Sequence, residues 1–384
     1  MICDFDQCVT RLGSDSLKWC QYDEQVLPLW IADMDFLSPL AVREALQRRV
    51  EHGVFGYAVE PPELRQVVIE RLWRLYRWEV APEWLLFLPG VVLGFNLTCN
   101  AFAAPEDDVL IQTPAYPPML CAPGNAGCIN NETPLTRQDD GSYVTDLDAF
   151  EAAITPRTRV FILCNPQNPV GRVFTAEELQ HIAEICLRHN LVICSDEIHA
   201  DFVYSGYRHV PIASLSPEIA ARTITLLAPS KTYNIPGLHF AVAVVPSEEV
   251  RHTLRAASRG LVMEPDILSF TAALAAYRDC QPWLEELLRY LEENRDLTLR
   301  YVREHLPGVQ ACMPEGTFLA WLDCRAAGIP GNAQQFFLER ARVALNHGLD
   351  YGKPGEGFVR LNFGCPRATL TDALGRMRDA MAAP

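Results

Sequence analysis

The chain has 384 residues, of which 49% are hydrophobic and 21% are charged, so it can build more than one packed core. Its 48 acidic residues outnumber its 33 basic residues, and the resulting formal charge of −15 argues against nucleic acid as a partner. The 13 cysteines are odd in number and include no C-x-x-C pair, which indicates reduced thiols rather than a disulfide framework or a zinc site.

The N-terminal 40 residues show no clear hydrophobic period and contain Trp19, Trp30 and Phe36. They are predicted to form an arm that packs against another part of the protein. The first residues, MICDFDQC, carry acids where a secretory signal has a basic region, and no apolar run reaches the roughly 18 residues that cross a bilayer. We therefore expect a soluble, cytoplasmic protein with no membrane partner.

The middle of the chain alternates between short β-branched runs and amphipathic stretches. The runs are DVLIQ at 108–112, RVFILC at 159–164, LVICSD at 191–196, TITLLA at 223–228 and FAVAVV at 240–245. Such alternation is typical of an α/β protein with a mostly parallel sheet. Thr175 and Glu178 have the spacing of a capping box ahead of a period of apolar residues, which predicts a helix between the second and third runs.

The C-terminal part has a different pattern. A long amphipathic helix is predicted over 282–306, followed by a strand-like TFLAWLD at 317–323, a helix around 334–342 and a strand-like FVRLNF at 358–363. This pattern indicates a second, smaller α+β domain. We expect residues 1–40 to be an arm that belongs to the small domain, 41–278 to be a large α/β domain and 279–384 to be the small domain.

Two glycine- or proline-rich turns follow predicted strands, at the edge where ligands collect in open α/β sheets. Gly90, with Val91 and Val92, precedes a helix-like run and offers free backbone N–H groups to a phosphate. The turn NPQNPVG at 165–171 directs Asn168 to the same edge. Each of them, taken alone, is equally compatible with an ordinary rigid turn.

Two charged residues occupy comparable positions. Asp196 ends an apolar strand, where a carboxylate is costly to desolvate unless it faces a cation such as a protonated pyridine nitrogen. Lys231 follows Ser230 and the run TITLLA, where a lysine beside a cofactor can act as nucleophile and base. Taken singly, a lysine is more often a surface residue and an aspartate at a strand end is more often a cap.

The order of these features, ending with an arginine near the carboxyl end, resembles the fold-type I pyridoxal-phosphate enzymes of the class I/II aminotransferase superfamily. The sequence is most similar to their MalY/PatB-type cystathionine β-lyase branch. The resemblance extends over nearly the whole chain and rests on SLKW at 16–19, LPLWIADMDF at 27–36, FGY at 55–57, LPGVV at 88–92, LIQTPAYPPM at 110–119, NPQNPVGRVF at 165–174, SDEIHADFVY at 195–204, APSKTYN at 228–234 and RLNFGCPR at 360–367.

The resemblance implies a central sheet of the seven-stranded, mostly parallel type with helices on both faces, a smaller α+β domain and bound pyridoxal 5′-phosphate. Lys231 is then the Schiff-base lysine, Asp196 the partner of the ring nitrogen and Tyr116 the residue that stacks on the ring. The cofactor contacts implied in this way are Gly90, Val91, Val92, Tyr116, Asn168, Asp196, His199, Ser230, Lys231 and Tyr57.

The resemblance also implies a homodimer in which Tyr57 reaches the phosphate of the neighbouring subunit. Arg360 is expected to hold the substrate α-carboxylate with a bidentate fork, and Asp33 and Tyr57 are expected to contact the substrate. No metal is expected.

The chain departs from the related aminotransferases at two places, one of them shared with the lyase branch, and from the lyase branch at a third. His239 stands eight residues beyond the lysine, where an arginine usually contacts the phosphate, and His199 replaces a tyrosine that usually bonds the ring oxygen. The segment 259–270 lacks the asparagine and phenylalanine expected in the lyase branch, which leaves the substrate side chain open.

These comparisons favour a carbon–sulfur β-lyase that cleaves cystathionine or another S-substituted L-cysteine to a thiol, pyruvate and ammonia. An aminotransferase of the same fold remains an alternative, because removal of the α-proton is common to both reactions. A regulator that retains the cofactor site is a third possibility.

Overall fold

Alternating strands and helices build the computed structural model, which describes residues 3–382. The strands are β1 Leu27–Pro28, β2 Leu85–Leu88, β3 Asp108–Thr113, β4 Ile129–Pro134, β5 Thr136–Arg137, β6 Tyr143–Val144, β7 Thr158–Cys164, β8 Val192–Asp196, β9 Thr223–Leu227, β10 Ala241–Val244, β11 Gln310–Ala311, β12 Leu319–Asp323, β13 Val343–Ala344, β14 Asn346–His347 and β15 Phe358–Asn362.

The helices lie mainly between these strands. They are α1 Leu17–Cys20, α2 Leu40–Glu51, α3 Leu64–Tyr76, α4 Val91–Phe102, α5 Pro117–Asn125, α6 Leu147–Ala152, α7 Ala176–Arg188, α8 Pro217–Ala220, α9 Pro229–Thr232, α10 Glu248–Ser258, α11 Ile267–Asp279, α12 Gln281–His305, α13 Ala333–Phe336 and α14 Arg367–Ala382. No helix within residues 3–382 is long and apolar enough to cross a membrane.

The central sheet has seven strands in the order β2-β10-β9-β8-β7-β3-β4. Strand β10 is antiparallel to both of its neighbours, and the other pairs are parallel. All five runs predicted from the middle of the chain are strands of this sheet, so the expected mostly parallel sheet is confirmed.

Helices cover both faces of the sheet because its strands are apolar on both sides. In β7, Val160 and Ile162 belong to a core cluster that includes Phe95 of α4, whereas Phe161 and Leu163 belong to a second cluster on the other face. Helix α7 packs in that second cluster and begins at the predicted capping box, in which Thr175 and Glu178 bond each other's backbone N–H groups. This arrangement leaves the carboxyl ends of the parallel strands at one edge.

The second sheet has four antiparallel strands in the order β11-β12-β15-β14. The predicted long helix is α12, which packs against α14. The predicted helix around 334–342 is divided into α13 and a π-helical turn at Phe337–Ala341. The separation of the two sheets along the chain agrees with two units, while the domain boundaries at 40 and 278 stay a prediction.

The N-terminal arm packs against the second sheet. Strand β1 pairs in parallel with β13, and the backbone of Leu29 accepts a hydrogen bond from the backbone N–H of Asn362. The side chain of Asn234 bonds the backbone of the arm at Met34 and Phe36. Because Asn234 follows the lysine turn and Asn362 lies at the end of β15, the segment 29–36 bridges the two sheets.

Candidate active site

A cavity of about 600 Å³ lies at the carboxyl ends of β2, β3, β7, β8 and β9, and β15 contributes to its wall. Each of these strands supplies a polar or glycine residue at or just beyond its end. Most of the predicted site residues meet in this cavity, and they are Gly90, Val91, Val92, Tyr116, Asn168, Asp196, His199, Ser230, Lys231 and Arg360.

Gly90 opens one end of the cavity, where the chain turns from β2 into α4. Its φ of 153° belongs to the backbone region that favours glycine. The first turn of α4 starts at Val91 and has no acidic residue, so its free N–H groups and positive dipole end face the cavity without a built-in anion. This end of the cavity can therefore hold a phosphate.

Asp196 is the last residue of β8 and is 3% exposed. Burial raises its pKa to about 7, against a smaller opposing effect of the N–H of Ile198, which donates to Oδ1 at 3.0 Å. The charge of Glu197 raises the pKa further, and the charge of Lys231 lowers it. A carboxylate in this position favours a cationic partner in the cavity.

Lys231 lies in α9, directly beyond β9. Its Nζ donates a hydrogen bond of 2.6 Å to the backbone oxygen of Ala32 in the N-terminal arm. Removal from water lowers the pKa of Lys231 to about 8, while Asp33 raises it and Arg360 lowers it. A substantial fraction of this amine is neutral slightly above neutral pH, which suits a nucleophile and a base.

Arg360 lies in the middle of β15 and is 3% exposed. Its Nη1 donates to Oδ1 of Asn168 at 2.9 Å, and its Nη2 donates at 2.6 Å both to the backbone oxygen of Trp30 and to Oδ1 of Asn346. The guanidinium carbon is 5.2 Å from the ring centroid of Tyr351, a cation–π distance. Because no carboxylate in the described residues forms an ion pair with Arg360, its charge is available to an anionic ligand.

His199 and Tyr116 complete the polar wall. Burial lowers the pKa of His199 to about 3, with further lowering by Lys231 and Arg360, so its imidazole is neutral. Its Nδ1 is buried without a hydrogen-bond partner in the part of the chain that the structure describes. Burial also raises the pKa of Tyr116, against an opposing effect of Arg360, so this phenol keeps its proton.

The unsatisfied groups of the cavity fit pyridoxal phosphate, the cofactor that the sequence resemblance implies. Asp196 can bond a protonated ring nitrogen, and Nδ1 of His199 can bond the polar edge of the ring. Lys231 supplies an amine for the aldehyde, and Gly90 leads into a helix start for the phosphate. A carboxylate, an amine, an unpartnered imidazole nitrogen and a helix start thus each have a matching group on the cofactor.

Two predicted residues are not among the described residues that line the cavity, namely Asp33 and Tyr57. Oδ2 of Asp33 is 2.8 Å from Nη2 of Arg11, and its Oδ1 is 3.6 Å from Nζ of Lys18. Its carboxylate is therefore engaged within the arm and acts on the site through its charge. Tyr57 is fully exposed in the single subunit, and its contact across an interface stays a prediction.

Several wall residues were not predicted from the sequence. Trp30 and Ala32 act through backbone oxygens, which no side-chain pattern can identify. Asn346 and Tyr351 lie in the segment before β15, which has neither a clear period nor a motif quoted above. His239, which marked a departure from the related aminotransferases, also lines the cavity.

Comparison with known proteins gives matches over nearly the full length. The family described as aminotransferase class I and II matches residues 24–377. Cystathionine β-lyase PatB of Bacillus subtilis (strain 168) is 38% identical over 387 residues, which cover 99% of this chain and 100% of PatB.

Solved structures agree with this similarity. Cystalysin from Treponema denticola, which contains a pyridoxal 5′-phosphate cofactor, superposes with a TM-score of 0.95 at 29% identity and covers 100% of this chain and 99% of its own. The pyridoxal-phosphate-bound C-S lyase from Staphylococcus hominis has a TM-score of 0.92 at 28% identity, covering 99% of this chain and 98% of its own. The fold expected from the sequence is thereby confirmed.

Proposed function

Because the chain belongs to the class I and II aminotransferase family, we propose that it is a pyridoxal 5′-phosphate-dependent carbon–sulfur β-lyase. Its substrate is cystathionine or another S-substituted L-cysteine, which it cleaves to a thiol, pyruvate and ammonia. The observation that carries the proposal is the convergence of Lys231, Asp196 and Arg360 in one cavity. Similarity to proteins named cystathionine β-lyase and C-S lyase favours β-elimination over transamination.

Lys231 holds the cofactor, and the bound cofactor supplies an electron sink for negative charge at the substrate Cα. Asp196 would accept a hydrogen bond from the protonated ring nitrogen and so keep the ring electron-poor. Asn168 and His199, which line the cavity, would hold the ring oxygen, and Tyr116 would pack on the ring face. Gly90, Val91, Val92 and Ser230 would hold the phosphate.

Once a substrate occupies the site, Nζ of Lys231 would act as the general base that takes the α-proton. The pKa of about 8 leaves part of this amine neutral near pH 7.5, which is the form that accepts a proton. The electron pair left at Cα forms a double bond to Cβ as the C–S bond breaks and thiolate leaves. Water then hydrolyses the released product to pyruvate and ammonia.

Arg360 orients the substrate for this proton transfer by binding the α-carboxylate. Asn168 is shared between Arg360 and the ring, because its Oδ1 accepts a hydrogen bond from Nη1 of Arg360. This link would couple the position of the carboxylate to that of the ring, and so present the α-hydrogen to Lys231.

Two measurements test the proposal. Pyruvate should be released from cystathionine or S-methyl-L-cysteine without any added keto acid, whereas a requirement for a keto acid would identify an aminotransferase. Borohydride reduction of the yellow protein should fix the cofactor on Lys231. The chain has only two other lysines, Lys18 and Lys353, so a label on either would contradict the assignment.

We propose that the active form is a homodimer. Apolar residues exposed in the single subunit lie on the segment 54–59 and on the segment 261–263, and they are Val54, Phe55, Tyr57, Val59, Leu261 and Met263. A second copy of the chain would cover this surface and bring Tyr57 to the neighbouring site. A cytoplasmic location is in keeping with the 13 cysteines, all of which lie within the described residues as free thiols.

A further inference from the structure

The hydrogen bonds of Arg360 leave few of its N–H groups for a ligand. Both N–H groups of Nη2 are used, one by the backbone oxygen of Trp30 and one by Oδ1 of Asn346. Nη1 has one free N–H beside its bond to Asn168. Nε is buried and has no hydrogen-bond partner within residues 3–382.

The stereochemistry of guanidinium makes this pattern restrictive. A carboxylate can be gripped by two parallel N–H groups on only two edges, one formed by Nε and Nη2 and one formed by Nη1 and Nη2. Both edges include an N–H of Nη2. A bidentate carboxylate therefore has to displace either the Trp30 oxygen or the Asn346 oxygen.

The Trp30 oxygen belongs to a backbone segment that is tied on both sides. The oxygen of Leu29 accepts from the backbone N–H of Asn362, and the oxygens of Ile31 and Asp33 accept from its side-chain Nδ2. Asn362 is itself completely buried. Moving the Trp30 oxygen would disturb these hydrogen bonds.

The side chain of Asn346, in contrast, makes no hydrogen bond other than the one to Arg360 within the described residues. It lies in the two-residue strand β14, lines the cavity and is partly exposed to it. Within the described residues its Nδ2 makes no hydrogen bond, so rotation of the side chain breaks only the bond to Arg360. A carboxylate that replaces the Asn346 oxygen takes over its bond to Nη2 and can add a second bond to the guanidinium N–H on the same edge, at Nε or Nη1.

We propose that Asn346 is a positioning residue that competes with the substrate for Arg360. In the absence of substrate its Oδ1 holds the guanidinium in place, and the α-carboxylate replaces this oxygen when an amino acid binds. The inference rests on the proposed function, because it takes Arg360 as the carboxylate-binding residue. The competition by Asn346 sets how strongly the site prefers an amine that carries a carboxylate over an amine that does not.

The test is equilibrium binding to the cofactor-loaded protein, followed by cofactor absorbance. The ligands are L-alanine and ethylamine, which differ only in the carboxylate, and the readout is the ratio of the ethylamine Kd to the L-alanine Kd. Asn346→Ala should raise this ratio about threefold to tenfold, because the competing oxygen is removed. Asn346→Asp should lower it at least tenfold, because a fixed carboxylate then occupies Nη2.

Asn190→Asp is the matched control, since Asn190 is exposed in the turn after α7, lies outside the cavity wall and has a φ of 58° that an aspartate also tolerates. It should leave the ratio within about twofold. Asn346→Ser, whose shorter side chain cannot reach Nη2, has the same expected result as the alanine variant and replaces it if that variant loses the cofactor.

A lower ratio in both Asn346→Ala and Asn346→Asp would show that Asn346 supports the grip of Arg360, and it would overturn the inference. An unchanged ratio in both variants, or an equal loss in Asn190→Asp, would also overturn it. L-Alanine has no leaving group, so the readout does not depend on C–S cleavage. Wild-type protein that binds L-alanine but releases no pyruvate from thioethers contradicts the proposed lyase function alone.

Discussion

Asp196→Asn should stabilise the cofactor-free protein even though it removes a residue of the active site. Burial raises the pKa of this carboxyl from an ordinary value of 3.8 to about 7, so the folded protein opposes its ionisation. A carboxyl whose pKa is raised by folding leaves the protein most stable at a pH below the pKa of that carboxyl in the unfolded chain. This stability is lost as the pH rises towards 7. At about 1.36 kcal/mol per pKa unit, this lowers the free energy of unfolding by roughly 4 kcal/mol at pH 8 and by between about 1 and 2 kcal/mol at pH 5, where only the unfolded chain is ionised.

The asparagine variant avoids this charge, although its Nδ2 needs a partner at a cost that does not change with pH. Relative to wild type, Asp196→Asn should therefore gain about 2 to 3 kcal/mol more in the free energy of unfolding at pH 8 than at pH 5. Urea unfolding followed by tryptophan fluorescence, on protein freed of cofactor with hydroxylamine, measures this difference. Restoring the cofactor should reverse the sign, because wild-type Asp196 then gains its cationic partner.

Asp35→Asn is a matched control because Asp35 is equally buried but paired. Burial raises the pKa of Asp35, but Lys18, at 2.7 Å, more than offsets this, so the pKa is lowered. The carboxylate is therefore ionised at both pH 5 and pH 8, and its contribution to stability is the same at both. The control should be destabilised by a similar amount at both values. A stability difference for Asp196→Asn that is independent of pH would show that this carboxylate already has a cationic partner in the cofactor-free protein, and it would refute the reasoning.

Three further changes separate binding, assembly and stability. Arg360→Lys should lower kcat/KM about tenfold to a few hundredfold for every amino acid tested, because a bidentate fork is lost. It should also lower the melting temperature, because the buried guanidinium holds the Trp30 oxygen and two asparagine side chains. Loss on one substrate class only would place a substrate side chain at this residue. Mixing Tyr57→Phe subunits with Lys231→Ala subunits should restore up to about a quarter of wild-type activity. Half of the dimers are then hybrids, and each hybrid has one intact site of two. No recovery of activity after proven subunit exchange would count against sites shared between subunits. Thr175→Ala should lower the free energy of unfolding by about 1 kcal/mol without changing kinetics, because only the cap of α7 is lost.

The fold could be predicted from the sequence because its strands are short apolar runs, and each polar residue of interest follows one of them. Asp196 and Lys231 were identified in this way, and the structure places both in the cavity. The reversed direction of β10 could not be predicted, because FAVAVV is apolar on both sides whichever way the strand runs. A pattern of residue types holds no information on strand polarity.

The sequence also could not predict the direction in which individual side chains point. LPLWIADMDF was recognised as a motif, and Asp33 was the residue in it with obvious chemistry. In the structure its carboxylate pairs with Arg11, while the neighbouring backbone oxygen of Ala32 meets Lys231. Asn346 was missed for the same reason, because its role depends on the geometry around Arg360 and not on its own neighbours in the chain.

The bridging segment 29–36 also has a consequence for biosynthesis. Its partners include Arg360 and Asn362, so during synthesis the segment is made more than 300 residues before these anchors. Until β15 is made, the segment can reach only the lysine turn, through Asn234 and Lys231, and its hydrogen bonds to the second sheet are missing. Chains that stop before β15 should therefore fail to form this site, and only chains that include β15 should bind the cofactor.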